Sequence, residues 1–328
     1  MINQNLQLNT KVFDKDVEQK PTRSGFGEGL LLAGKENNAV VALCADLTES
    51  TQTLAFAEAF PDRFFEMGVA EQNMASVASG LSAMGKIPFM ASYAMFNPGR
   101  NWEQIRTTIC YNNANVKIVG AHAGVSVGPD GGTHQAIEDI ALMRVIPRMT
   151  VFNPCDAIEA KKVTLWAARH DGPIYIRLAR EKTPIMTTEQ TPFASGRAYP
   201  YILPAERMQV AILATGPLLY QALIAVAPLK EHGIVAGVLN VPTIKPLPHH
   251  DILTFVRDAR LVITVEEHQV AGGFGGAVAE LLSAEMPKKM GFIGVRDLFG
   301  QSGEPDELIN NYQMSAFSIV SMARRLLE

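Results

Sequence analysis

The sequence predicts an α/β protein of two domains, each a mostly parallel sheet covered by helices. Three observations carry this. Short, continuous apolar runs recur at residues 40–46, 87–92, 116–122, 149–153 and 174–177, with helical stretches between them. Apolar strands that alternate with helices, without an apolar/polar alternation of their own, belong to parallel sheets buried on both faces. The rhythm breaks over residues 183–208, which are rich in Thr and Pro, and then resumes as a second α/β unit. The predicted division is an N-terminal arm at 1–21, a first domain at 22–190 and a second at 205–328.

Residues 1–21 carry Asn, Gln, Lys and Asp without apolar periodicity and are expected to form an arm ordered only against a partner. Ser24 is the expected N-cap of the first helix. Residues 62–66 run into a short strand. Residues 75–85 have almost no charge and little bulk, which predicts a helix buried between other layers. Asp46, Ser92, His122 and Asn153 close the apolar runs at their carboxyl ends, where ligands of such sheets bind. The second unit is expected to hold strands at 210–214, 235–240, 261–266 and 292–295. Its helices are expected at 218–229, at 277–282 and from a cap at 301–305 to Leu327. The cluster Gly272-Gly273-Phe274-Gly275-Gly276 fits neither G-x-G-x-x-G in register nor a P-loop, and reads as a close-packed helix start.

With 328 residues, 47% of them apolar, the chain has material for two sizeable cores. A net charge of -4 and no Lys/Arg cluster argue against a nucleic-acid role. Residues 1–20 are polar, so no signal peptide is expected, and no apolar run approaches the roughly 18 residues that span a membrane. Cys44, Cys110 and Cys155 are odd in number and widely spaced, which reads as reduced core cysteines of a cytoplasmic protein.

Four stretches could carry chemistry. Glu71 opens a helix within Gly68-Val69-Ala70-Glu71-Gln72-Asn73-Met74. An ionised carboxylate there lies near free backbone N–H groups and a dry core, so it is either satisfied by the helix start or held for function. Tyr93 and Phe96 stand just past a strand end, as core aromatics or as a stacking surface. The loop from His122 through Asp130-Gly131-Gly132-Thr133-His134-Gln135 joins two histidines and an aspartate by glycines that let a ligand approach the backbone. Such groups hydrogen-bond sugar hydroxyls and move protons near neutral pH, and their spacing is not that of metal ligands. Arg177 and Arg180 at a strand end suit a phosphate or a surface salt bridge.

The Gly68–Met74 stretch resembles the pyrimidine-binding motif of the transketolase family of thiamine diphosphate enzymes, and the likeness runs in separate motifs from about Ser24 to the C-terminus. The resemblance implies that Glu71 hydrogen-bonds the cofactor's aminopyrimidine ring and promotes the imino tautomer that takes the thiazolium proton. It implies that Phe96 packs on that ring with Tyr93 as its neighbour. Asp46, in Asp46-Leu47-Thr48-Glu49-Ser50, would lie near the thiazolium side, although capping of the next helix explains it almost as well. His122 and His134 would contact the donor carbonyl and hydroxyls, and Asp130 a hydroxyl beside the reacting carbon. For the substrate phosphate, Arg180 aligns with transketolases and Arg177 with deoxyxylulose phosphate synthases. Asn97-Pro98-Gly99-Arg100 departs from the one-chain enzymes.

The family's Gly-Asp-Gly, which serves the magnesium ion of the cofactor's diphosphate, does not occur in this sequence. The resemblance therefore implies the C-terminal subunit of a split transketolase, with an N-terminal partner subunit holding the diphosphate and Mg2+. An α2β2 assembly and ketol transfer between sugar phosphates follow from it. The runner-up is the β subunit of a 2-oxo acid dehydrogenase, and a deoxyxylulose phosphate synthase fragment comes third. Thr133-His134-Gln135 and Asp46-Leu47-Thr48 favour the transketolase branch. A non-catalytic assembly subunit is the contrasting reading. The intact set Glu71, His122, Asp130 and His134 argues against it.

Overall fold

The computed structural model describes residues 2–328. The first domain is a seven-stranded sheet in the order Thr243–Lys245, Thr150–Phe152, Ile174–Arg177, Lys117–Ala121, Ile87–Tyr93, Val40–Cys44, Phe64–Glu66. All pairings are parallel except that of the first strand, which runs antiparallel. Every residue of Val40–Cys44 and Lys117–Ala121 is buried, as expected for strands covered on both faces. The second domain is a five-stranded sheet in the order Lys289–Val295, Leu261–Gln269, Val210–Ala214, Ala236–Asn240, Tyr199–Ile202. Its last strand is antiparallel and falls inside the stretch expected to be linker.

The seam between the domains is tighter than two units on a tether. Thr243–Lys245 belongs to the second domain by sequence, yet it extends the sheet of the first through Thr150–Phe152. One continuous apolar core holds Val41, Leu43, Met90 and Ile118 together with Leu213, Val241, Phe255 and Val262.

Several expectations are corrected. The arm folds on its own chain: Leu6, Leu8, Val12 and Val17 are buried, Asn3 N–H donates to Tyr201 O, and Gln19–Pro21 pairs with Lys182–Pro184. Ser24 is not the N-cap, because the first helix is Thr22–Glu36 and follows the extended Pro21. Thr22 Oγ1 instead accepts from Ala179 N–H at 2.7 Å. The helix Glu71–Ala83 is buried on one side only, at Glu71, Met74, Ala75 and Ala78, while Gln72, Asn73, Ser76 and Gly80 are exposed. The helix expected at 218–229 divides into Leu219–Ile224 and Val226–Glu231. Pro228 lacks the N–H that would bond to Ile224 four residues back. The last helix divides into Pro305–Asn311 and Ala316–Leu327 around Gln313, whose φ is 56°.

Candidate active site

Glu71 is the first residue of its helix and is 4% exposed. Its N-cap, Ala70, has no side chain to accept from the first turn, so the helix start keeps free donors. Arg100 Nη1 lies 3.4 Å from Glu71 Oε2. Asn101 Nδ2 donates to Glu71 O at 3.2 Å and to Asn97 Oδ1 at 3.0 Å, and Asn97 Nδ2 donates to Met90 O and Val119 O in the middle of two neighbouring strands. The segment Asn97-Pro98-Gly99-Arg100-Asn101 is thus a hydrogen-bonded bracket that fixes Glu71 to the sheet. Arg100 also stands over the Phe96 ring at 5.9 Å.

From Phe96 the contacts lead to the histidine loop. His134 meets Phe96 edge-on at 5.5 Å, and Tyr93 lies near parallel to Phe96 at 6.3 Å. His122 stacks on Tyr93 with ring centroids 3.8 Å apart. Tyr93 therefore spends a ring face on His122, and both Tyr93 and Phe96 are half-buried. His122 sits at φ 55° and is 2% exposed. Burial, then Arg23, Arg180 and His134, pull its pKa down to about 3, so the ring is neutral at ordinary pH. Its Nδ1 has no hydrogen-bond partner among the described residues. His134 Nδ1 lies 2.9 Å from Thr133 Oγ1.

A cationic pair lies beside His122. Arg180 donates to Val127 O at 2.5 Å and lies 3.5 Å from Asp130 Oδ1. Arg23 donates to Ser50 O at 2.8 Å, and its Nε has no partner among the described residues. Burial and then Arg180 hold the Arg23 guanidinium below its usual value. Arg180 Nε also lies 3.6 Å from Glu181 Oε1, so Arg180 is shared between two carboxylates while Arg23 Nε stays open.

One expected site residue falls elsewhere, and a second stands in an exposed turn. Arg177 does not join this cluster of side chains. It is 2% exposed, its Nε donates to Asp139 at 2.8 Å, and its Nη2 donates to Glu267 O at 2.8 Å. The last residue of a doubly covered strand points into the seam, which rules it out as a phosphate ligand. Asp46 is an exposed strand-end residue at φ 58° and caps no helix with its side chain. Glu66 organises that turn, accepting from Asp46 N–H, Thr48 Oγ1–H and Gly68 N–H. Arg23, Arg100 and Asn101 escaped the sequence reading. Only the run of Asn, Pro, Gly and Arg after a strand end could have marked the last two.

The profile of the transketolase pyrimidine binding domain matches residues 18–186, and that of the transketolase C-terminal domain matches 202–319. The chain belongs to the transketolase family. It is 44% identical to a putative transketolase C-terminal section of Methanocaldococcus jannaschii, over 94% of this chain and 96% of that one. It is 38% identical to a 6-deoxy-6-sulfo-D-fructose transketolase subunit of a Clostridium species, over 96% and 97%. A solved split gene transketolase, described as an inactive beta4 tetramer, superposes with a TM-score of 0.86 at 43% identity, covering 94% of this chain and 98% of that one.

The transketolase family implies dependence on thiamine diphosphate. The residues present fit one end of that cofactor: a half-buried aromatic ring, Phe96, beside a buried carboxylate, Glu71, whose one ion pair is long. They do not supply the other end. Among the described residues no group of three or more His, Cys, Asp or Glu is placed to hold a metal ion. No helix among them is long and apolar enough to cross a membrane.

Proposed function

We propose that this chain is the C-terminal subunit of a two-chain transketolase that moves a two-carbon ketol unit between anionic sugars. The observation that carries the reading is the contact chain from Glu71 through Arg100, Phe96 and Tyr93 to His122, with Arg23 and Arg180 beyond it. Thiamine diphosphate, when bound, supplies the carbanion chemistry that side chains lack. Phe96 offers a flat face for its pyrimidine ring, with Tyr93 behind. Glu71, fixed by Asn101 and held by Arg100, would donate a proton to a ring nitrogen and take it back. His122 and His134 hydrogen-bond the donor's carbonyl and hydroxyls, His122 as a neutral imidazole. Asp130 takes a hydroxyl next to the reacting carbon. Arg180 and Arg23 hold the far anionic group, a phosphate or, as in the name of the Clostridium relative, a sulfonate.

The diphosphate and its magnesium ion are assigned to a partner subunit, in an assembly with two copies of each chain. The test is reconstitution. The chain alone, with cofactor and Mg2+, folds but gives no ketol transfer, and adding the partner restores it. Turnover by the chain alone at rates typical of an enzyme overturns the division of labour.

A further inference from the structure

The loop that carries His122, Asp130 and His134 is held from behind by the second domain. Glu267, 3% exposed on the strand Leu261–Gln269, accepts from Ser126 N–H at 2.6 Å. Gly124, at φ 90°, lies so close to the same carboxylate that a Cβ there would run into it. Gln135 Nε2 donates to Val125 O at 3.0 Å and Gly128 O at 3.2 Å within the loop, and to Gln301 O of the second domain at 2.9 Å. Gly131 and Gly132 abut Ser302 and Gly300 with no room for a side chain. At the loop's end, the buried Arg177 donates to Ala136 O at 3.3 Å and to Glu267 O at 2.8 Å. None of these second-domain groups contacts Glu71 or Phe96 through the hydrogen bonds that fix those residues.

We infer that Glu267 is a positioning residue, through which the second domain clamps the substrate-binding loop and keeps His122 and His134 in register with the sugar. The inference takes from the proposed function only what the loop binds. The clamp itself is a matter of hydrogen bonds within this chain. Removing the buried acceptor leaves the Ser126 N–H unpaired, which shifts a local equilibrium by about ten- to hundredfold.

The experiment compares Glu267→Leu, which keeps the size and removes the acceptor, with Glu267→Gln, which keeps an acceptor oxygen. Amide hydrogen exchange is followed in the full chain. Substrate KM and thiamine diphosphate Kd are followed in the reconstituted complex. The expected result for Glu267→Leu is about tenfold or faster exchange confined to residues 122–136 and a KM raised about tenfold, with the cofactor Kd within twofold. Glu267→Gln returns all three towards wild type. Gln135→Leu, which cuts the link to Gln301 from the loop side, gives the same local signature and serves if Glu267→Leu does not fold. Unchanged exchange in the loop, loosening spread evenly over the chain, or a Gln variant that behaves as the Leu variant overturns the clamp. If the wild-type complex transfers no ketol unit, the functional reading fails and the exchange result still decides the clamp.

Discussion

Glu71 and His122 are joined through Arg100, Phe96 and Tyr93, yet their surroundings differ. The neighbourhood of Glu71 is open on its outer side. Val69 is 66% exposed, Met84 is 81% exposed, and the helix between them turns Gln72, Asn73, Ser76 and Gly80 outward without one charge. His122 is sealed: the second domain covers its loop, and the aromatic ring of Tyr93 covers its face. The difference teaches that the chain braces the loop of His122 from its own second domain, while the helix that carries Glu71 turns an uncharged face outward beside the exposed Arg100. A surface of that kind suits a protein neighbour better than water.

The largest expected effect tests the open side. Glu71→Gln keeps size and hydrogen bonding to the backbone and removes the exchangeable acid. Exchange of the thiazolium carbon proton for deuterium in the reconstituted, cofactor-loaded complex should fall about 10²–10⁴-fold. Exchange at the wild-type rate would leave Glu71 a helix-start carboxylate and remove the contrast between the two neighbourhoods.

A middle-sized effect tests the sealed side. Arg180→Ala should weaken phosphorylated substrates about ten- to hundredfold, in keeping with about 1.5–3 kcal/mol for a charged hydrogen bond. Substrates without an anionic group should be nearly unaffected. Equal losses for both kinds would mean that Arg180 serves only Asp130 and Val127.

The smallest effect concerns the seam that does the sealing. Glu159, 2% exposed, accepts from Cys155 N–H and from Asn240 Nδ2, and its pKa is raised from 4.5 to about 7 by burial and then by Asp156. The folded chain thus favours the protonated form. Its contribution is fully present below the unfolded value of 4.5 and is lost as pH rises through about 7. Tm should therefore fall from pH 5 to pH 8, and Glu159→Gln should flatten that fall by a few degrees. A Tm profile identical to wild type would show that the seam carries no such proton.

Much of this was legible in the residues. Apolar runs marked five of the six parallel strands of the first domain, because burial on both faces leaves no other pattern. Glu71 and the His122–His134 loop stood out because their motifs are contiguous. The two arginines were not separable by spacing alone. Arg177 ends the strand and is drawn inward by Asp139, distant in sequence, whereas Arg180 lies past the strand and stays part-exposed. Arg23 joins the site only through tertiary placement. The split of the last helix rests on a left-handed Gln313, a conformation that a glutamine does not advertise.

The strand Thr243–Lys245 has a consequence for how the chain can be cut. It crosses from one sheet to complete the other, so the border drawn by backbone connectivity and the border drawn by hydrogen bonds do not coincide. A nick at the exposed Glu189-Gln190 severs one peptide bond and leaves the sheet intact. A gene divided at the same place would strip the first half of an edge strand and leave Thr150–Phe152 as a bare rim. The first half is therefore incomplete without the second, whatever their separate family profiles imply.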